Sequence, residues 1–551
     1  MSMLGLNRLR GFFTRRTQPD AVVLKPFAVR MSLPWRIAGR IAIVLLGIAC
    51  VLYGFGYALT TPFLLKQFLA PLLPLACLTI WALPESATKP TRAVEDLFWA
   101  FYLGAMLWPG YLSVALPGLP WFSALRLLGL PMAIAMLVRL STSTPFREQV
   151  VGTVRTIPYL GTFMAAFSAI QVFSVAVSDQ PVTSLDSVID NLIGWTAVFF
   201  VACYMFRRPG AAERWIAAFC ICAVGLCFMG IWERRLEHVP WGTHVPSFFA
   251  TGDDAVQRAL TGTRRLGIGD YRVEGVESTS LGMAEFLALA TPFLLHYIGG
   301  PFRTPIKIAA VLALPLVFVV ILSTQARLGM VGFFLSVLLY LVVWGVNRWK
   351  SAKGSLLGPA IVLAYPAFFL AFVAASFTVQ RLKTIVWGNG ETAASNEGRM
   401  EQMQKGIPMI FKRPWGYGAG RGAEKLGYMT PGGTLTIDNY FLLVALDWGI
   451  LGFIVYYGMI LMVTWNAARY GWARTLRNRE HSYLVPAGIA LAEFFVIKSI
   501  FSQTHNHALT FMIMGMVAAL IFRIRYGVPG DELPNLPPLQ PPARPRSSLA
   551  N

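Results

Sequence analysis

Residues 306–346 read IKIAAVLALPLVFVVILSTQARLGMVGFFLSVLLYLVVWGV, two apolar runs parted by the polar turn STQAR at 323–327. Each run is close to the ~20 residues that an α-helix needs to cross the hydrocarbon of a bilayer. Neither alternates apolar with polar positions, as a barrel strand would. The stretch therefore reads as helix, turn and helix inside a membrane. The rest of the chain repeats the pattern, since 56% of its 551 residues are hydrophobic and only 13% are charged. A mean hydropathy of +0.57 is a value that soluble domains rarely reach.

Working outward from that stretch, about fourteen runs qualify as spans by length and apolarity: 41–59, 63–83, 97–115, 121–140, 157–177, 189–206, 215–232, 280–298, 306–322, 328–346, 356–376, 439–464, 484–501 and 508–524. The expected fold is all-α, a polytopic transmembrane helical bundle over 41–525. A basic tail (1–40) and a proline-rich tail (526–551) flank it, the latter expected to be disordered.

The formal charge of +20 raises the question of nucleic acid. The basic residues fall between apolar runs and build no soluble basic domain, so nucleic acid is excluded as a partner. Topology accounts for most of the charge. Alternate connections carry Lys89 and Arg92; Arg139, Arg147 and Arg155; Arg207, Arg208 and Arg214; Arg303 and Lys307; Arg348, Lys350 and Lys353; and Arg469, Arg474, Arg477 and Arg479. The short turns on the other side are nearly free of positive charge. By the positive-inside rule both termini are expected in the cytoplasm, with the protein in a bacterial-type inner membrane. The first forty residues hold too many charges before the first apolar run to be a cleavable signal peptide.

Two outer connections, 233–279 and 377–437, are long and expected to contain short helices. Both are rich in Arg and Lys on the side where topology asks for none. An anionic substrate is the simplest reason.

The segment STQARLGMVGFFLSVLLYLVVW (323–344) resembles the core of the O-antigen polymerase and ligase superfamily, in which a Ser-x-x-x-Arg turn opens a long span. EGRMEQMQKGIPMIFKRPWGYGAGRG (397–422) is similar to the family's run of Arg, amphipathic helix, Pro and spaced glycines. TIDNYFLLVALDWGILGFIVYYG (436–458) is similar to its His-or-Asp, Asn, Tyr segment ending in Gly-x-x-Gly. YRVEGVESTSLGMAEFLALATPF (271–293) fits its Arg-x-x-Gly segment at the start of a span. Four such pieces in order, all at the outer ends of independently placed spans, carry the resemblance over residues 270–458.

The resemblance implies a GT-C-like, metal-independent membrane glycosyltransferase. Its donor would be an oligosaccharide on undecaprenyl pyrophosphate, its acceptor a second glycan, and its site periplasmic. Membrane lipids and other polysaccharide-assembly proteins are the further partners implied, and no cofactor is expected. Within the family a polymerase of O-antigen or exopolysaccharide repeats is favoured over a ligase delivering glycan to lipid A core or protein. The ligase branch places His before the Asn, and this chain has Asp438.

A diphosphate leaving group gathers negative charge as the glycosidic bond breaks, and arginine supplies a fixed charge in a planar fork suited to phosphate oxygens. Arg327 leads the candidates, followed by Arg399, Arg272 and Arg421. Arg399 could equally pair with Glu397 or Glu401, Arg272 with Glu274 or Glu277, and Arg421 could be merely solvated. The acceptor hydroxyl must lose a proton, which makes Asp438 the candidate base; the competing role is an N-cap for the next helix. Asn439 and Tyr440 share its motif. His505 and His507 lie on the turn before the last span, where either could supply an imidazole.

Lys498 precedes His505 by a spacing that returns to one helical face, and Asp447, Glu285 and Glu493 are its possible partners. Gly416, Gly418, Gly420 and Gly422 lack the preceding strand and following Lys-Ser or Lys-Thr of a nucleotide loop, and read instead as a tight backbone turn. Asp253 and Asp254 are a poor metal site, and no metal is expected. The six cysteines lie in apolar runs and read as small buried hydrophobes. A transporter or flippase is the rival from another class, disfavoured because no internal repeat is visible.

Overall fold

A backbone in lipid has to satisfy its own polar groups, and long apolar runs do so as helices. Among the described residues, ten helices are long and apolar enough to cross a membrane. They are α1 (Ala124–Thr142), α2 (Leu160–Val177), α3 (Pro181–Met205), α4 (Ala211–Leu236), α5 (Ser280–Gly299), α6 (Thr304–Ser323), α7 (Arg327–Lys350), α8 (Tyr440–Gly471), α9 (Arg479–Ile497) and α10 (His507–Tyr526). The computed structural model describes residues 41, 48, 72–85, 92–115, 121–246, 248–249, 254–264, 270–351, 354–379, 391–429, 435–472, 479–500 and 503–527. All ten helices belong to one compact unit, Lys66–Asn551.

The unit is an all-α bundle with an inside and an outside. α5 packs against α6, α7 and α9, while α10 packs against α3 and α9, and α8 against α2 and α9. Most of the apolar window is buried in α5 (83%) and α10 (89%), against 22% in α1, so α5 and α10 form the interior and α1 faces outward. Rings fill the middle. Phe167 of α2, Trp195 of α3 and Trp448 of α8 meet with centroids 5.1 to 6.2 Å apart, and Trp195 stacks on His507 at 4.7 Å. A π-helical turn over Leu192–Ala197 presents Trp195 to them.

Ten of the fourteen expected spans take this form. Of the other four, 41–59 lies outside the described residues save for two positions, and 63–83 is described only from 72, as the short helix Leu72–Trp81. The run 97–115 becomes a helix of 15 residues, Ala93–Leu107. The run 356–376 is helical over Leu357–Thr378. Both long connections hold helices, Asp254–Thr261 in the first and Glu391–Lys412 in the second. Among the described residues the strands form two short antiparallel pairs, Ser113–Val114 with Phe122–Ser123 and Thr263–Arg264 with Tyr271–Arg272. Of the cysteines, Cys203, Cys220, Cys222 and Cys227 are buried, Cys77 is exposed, and Cys50 lies outside the described residues.

α8 departs from a simple span. Gly449 has φ 71 and ψ −175 within it, which divides the helix into an arm, 440–448, and a spanning part. The arm folds back so that Phe441 meets Tyr457 at 4.5 Å and Phe495 at 5.2 Å.

Candidate functional site

Three sequence stretches meet at the turn between α6 and α7. Gln325 takes a left-handed φ of 53, rare for a non-glycine residue. Thr324 Oγ1 accepts from the Ala326 amide at 3.2 Å and stabilises the turn. The segment before α5 is stitched along it. Arg272 Nε donates to Thr324 O at 3.2 Å, the Val273 amide to Ser323 O at 3.2 Å, and Gln325 Nε2 to Asp270 Oδ2 at 3.1 Å. Arg272 therefore stands beside the turn that ends in Arg327, the first residue of α7. Both arginines are half-buried. A cation at a helix N-terminus opposes the macrodipole, yet the two fields add where an anion approaches.

Glu233 holds this arrangement, and sequence reading missed it, because it lies at the edge of an apolar run beside Arg234 and Arg235. Buried near the end of α4, it accepts from Tyr271 Oη and from the amides of Glu274 and Gly275, each at 2.8 Å. Gly275 has φ 64, so the Arg272-to-Gly275 turn is wrapped around this one carboxylate.

From the turn the site continues inward. Ala326 packs with Ala284 and Ala288 of α5 and Ile497 of α9. Next to Ala284, Glu285 pairs with Lys498 at 2.9 Å, both fully buried. Of the three acidic partners proposed for Lys498, Glu285 is the one paired with it. Asp447 serves the glycine loop, and Glu493 hydrogen-bonds Ser336. Lys498 also donates to Gln503 O and lies 5.3 Å from the centre of the Tyr440 ring. α9 ends at Ile497, so the expectation that Lys498 and His505 share a helical face is corrected: Lys498 lies past the end of that helix, and His505 lies in the turn before α10. In that turn Asn506 Nδ2 donates to Gly282 O at 2.9 Å and ties the start of α10 to the start of α5.

The Tyr440 amide donates to Lys498 O at 3.2 Å, which brings the Asp438 motif to the same place. Asp438 is not the N-cap. Asn439 takes that role, its Oδ1 accepting from the Phe441 amide at 2.9 Å and the Leu442 amide at 3.2 Å. The Asp438 carboxylate instead faces Arg399 across 3.9 Å, while its amide donates to Gln402 Oε1 at 2.9 Å. Arg399 thus meets Asp438 from a distant stretch, a partner beyond the neighbouring Glu397 and Glu401.

His505 and His507 separate. His507 is buried between the rings of Trp195 and Tyr440. His505 keeps 37% of its side chain accessible, and its Nδ1 lies 3.8 Å from Glu277 Oε2. Burial pushes the Glu277 carboxyl up to about 7, with Lys498 opposing the shift.

Arg421 stands apart. It is 4% exposed rather than solvated, and its guanidinium pairs with Glu424. The glycine-rich stretch binds an internal carboxylate: Asp447 accepts from the amides of Gly420 at 3.0 Å and Gly422 at 2.6 Å. Around it, the Tyr417 amide donates to Leu446 O and the Gly418 amide to Asp447 O. Among the described residues no three His, Cys, Asp or Glu side chains gather as a metal site requires.

A helical membrane bundle in which Arg272 stands beside the turn that bears Arg327, and Arg399 faces Asp438, is the class of protein that fold and site define. Residues 309–457 match the family model described as O-antigen ligase, and that segment carries the domain of the O-antigen ligase and polymerase superfamily. The match takes in Arg327, Arg399, Arg421 and Asp438, while Arg272, Lys498 and the two histidines lie outside it. Comparison with curated proteins gives no match. The matched segment supports a function of the O-antigen ligase and polymerase type in general, and the ten apolar helices support an integral membrane protein.

Proposed function

We propose that the chain is a polymerase of lipid-linked glycan repeats, acting at the periplasmic face of the inner membrane. The observation that carries this reading is the joining of Arg272 to the turn that bears Arg327, through the Arg272 Nε to Thr324 O bond. Two guanidinium groups from separate stretches at one helix N-terminus suit a diphosphate.

In the reaction the acceptor hydroxyl oxygen bonds to the anomeric carbon as the bond from that carbon to the diphosphate oxygen breaks. Charge builds on the leaving lipid diphosphate, where Arg327, Arg272 and Arg399 stabilise it more strongly than in the ground state. The acceptor proton passes to Asp438, whose carboxylate is held by Arg399. Asn439 and His505 would line the acceptor side, with Tyr440 buried behind them against His507. Arg421 is left as a structural residue of the glycine loop.

A ligase is the second reading, favoured because the family model that matches residues 309–457 is that of O-antigen ligase. Purified protein given an undecaprenyl-pyrophosphate-linked repeat separates the two. A ladder of lengthened lipid-linked products supports the polymerase, and a single transfer to a different acceptor the ligase. Consumption of neither donor nor acceptor, with vectorial movement of the lipid instead, would sink both.

A further inference from the structure

The loop helix Glu391–Lys412 runs beside the α8 arm in one constant register. Gln402 Oε1 accepts from the Asp438 amide at 2.9 Å, Gly406 lies against Leu442 where a Cβ would collide, and Pro414 O accepts from the Ile450 amide at 2.9 Å. The separation in sequence is the same each time, so the two segments run side by side in the same direction.

The height of the arm is fixed by the bundle. The spanning part of α8, from Ile450 to Gly471, is about 33 Å long at ~1.5 Å per residue, the full thickness of the hydrocarbon. The arm's Phe441 packs on Tyr457, about 12 Å below the bend along that part by the same rise. A helix in register with the arm therefore sits level with membrane helices, its Arg399 end the deeper.

Its surface has three sectors. Gly398, Gln402 and Gly406 are buried against the protein. Met400, Met403, Ile407 and Phe411 are exposed and recur at helical spacing, and Trp415 continues the stripe. Glu397, Glu401, Lys405 and Lys412 form an exposed charged strip beside it. Phe411 is 72% exposed, and Trp415 51%, at the height of the outward-facing Leu451 (62%) and Ile454 (56%) of α8. A helix meeting only protein and water has no use for an apolar exposed sector, whereas one that also meets acyl chains does.

We infer that the apolar stripe of Glu391–Lys412, from Met400 to Trp415, lies against phospholipid acyl chains. Phospholipid is then a structural partner of the loop and sets the height of Arg399, whichever glycan reaction the protein performs.

The wild-type chain, reconstituted into vesicles of phosphatidylcholine and phosphatidylglycerol bearing a diazirine on the acyl chain, tests this by irradiation and peptide mapping. Adducts on residues 400–415 are expected at a yield within about threefold of those on Leu451 and Ile454. Adducts on Leu451 and Ile454 with 400–415 unlabelled would place the stripe in water and overturn the inference. Protection of 400–415 by cross-linkable contact with a second copy of the chain would overturn it too.

Discussion

Glu233 and Gly275, far apart in sequence, meet where the carboxylate of the first accepts the amide of the second at 2.8 Å. The same carboxylate also holds the Glu274 amide and the Tyr271 hydroxyl. One buried charge, satisfied by three donors, thus fixes the turn that presents Arg272 to the α6–α7 junction. Glu233→Gln keeps the shape but substitutes an amide whose NH₂ faces donors. Hydrogen bonds to a charged group are worth about 1.5–3 kcal/mol each, so a loss of at least ~2 kcal/mol is expected, together with weaker donor binding. Thermal unfolding in detergent, beside the apparent KM for lipid-linked donor, measures both; an unchanged melting temperature would refute the anchoring role.

Arg327→Ala should lower the glycan-transfer rate by about a hundredfold or more, as removal of a transition-state charge stabiliser does, while the fold persists. Arg327→Lys should recover only part of the rate, because an ammonium lacks the planar fork. Transfer by Arg327→Ala at close to the wild-type rate would remove this residue from the mechanism.

The Lys498 and Glu285 pair is fully buried, and taking away one partner leaves a lone charge in a dry interior. Lys498→Met or Glu285→Leu alone should cost about 3–5 kcal/mol, whereas the double substitution should regain most of it. A double-mutant cycle in thermal or denaturant unfolding reads the coupling, and additive losses would show that the two do not act as a pair.

Glu277 gives a pH signature. Its folded carboxyl titrates near 7, raised by burial against a usual value of 4.5, and the facing charged groups are His505 and Lys498. The native state therefore binds this proton more tightly than the unfolded chain. The stabilisation is complete below the unfolded value, falls as pH rises from about 4.5 to 7, and is flat above. In a comparison of melting temperatures across pH 5 to 8, Glu277→Gln should lose this component of the slope; identical slopes in both proteins would contradict it.

Gly449→Ala tests the join between loop and bundle. With φ 71, a Cβ at this position would overlap the Pro414 carbonyl oxygen that accepts the Ile450 amide. The loop should detach from the bend and become open to proteolysis between 391 and 429, while the interior helices α5 and α10 stay intact. Unaltered protease resistance of that segment would count against the proposed join.

The candidate site was partly legible beforehand, and what was missed has identifiable causes. Arg272, Arg327, Arg399 and Asp438 announced themselves as charges beside long apolar runs, where solvation alone explains them poorly. Arg421 looked similar in sequence, but a glutamate one helical turn onward takes its charge. Asp438 and Asn439 compete for one cap, and only backbone geometry shows that Asn439 fills it. Glu233 was hidden because its three donors come from a stretch some forty residues on, a pairing no local pattern encodes.

Sequence alone determined that the chain is a helical membrane bundle, because a long apolar run in lipid has no other way to satisfy its backbone. It likewise determined which charges stand at span ends. Tertiary structure decided which of them meet: the partner of Lys498, the bend of α8 at Gly449, the carboxylate inside the glycine loop, and the descent of the loop helix beside the α8 arm. Those choices depend on which helix ends lie level and which side chains can fill the space between them, and such distances exist only once the chain has packed.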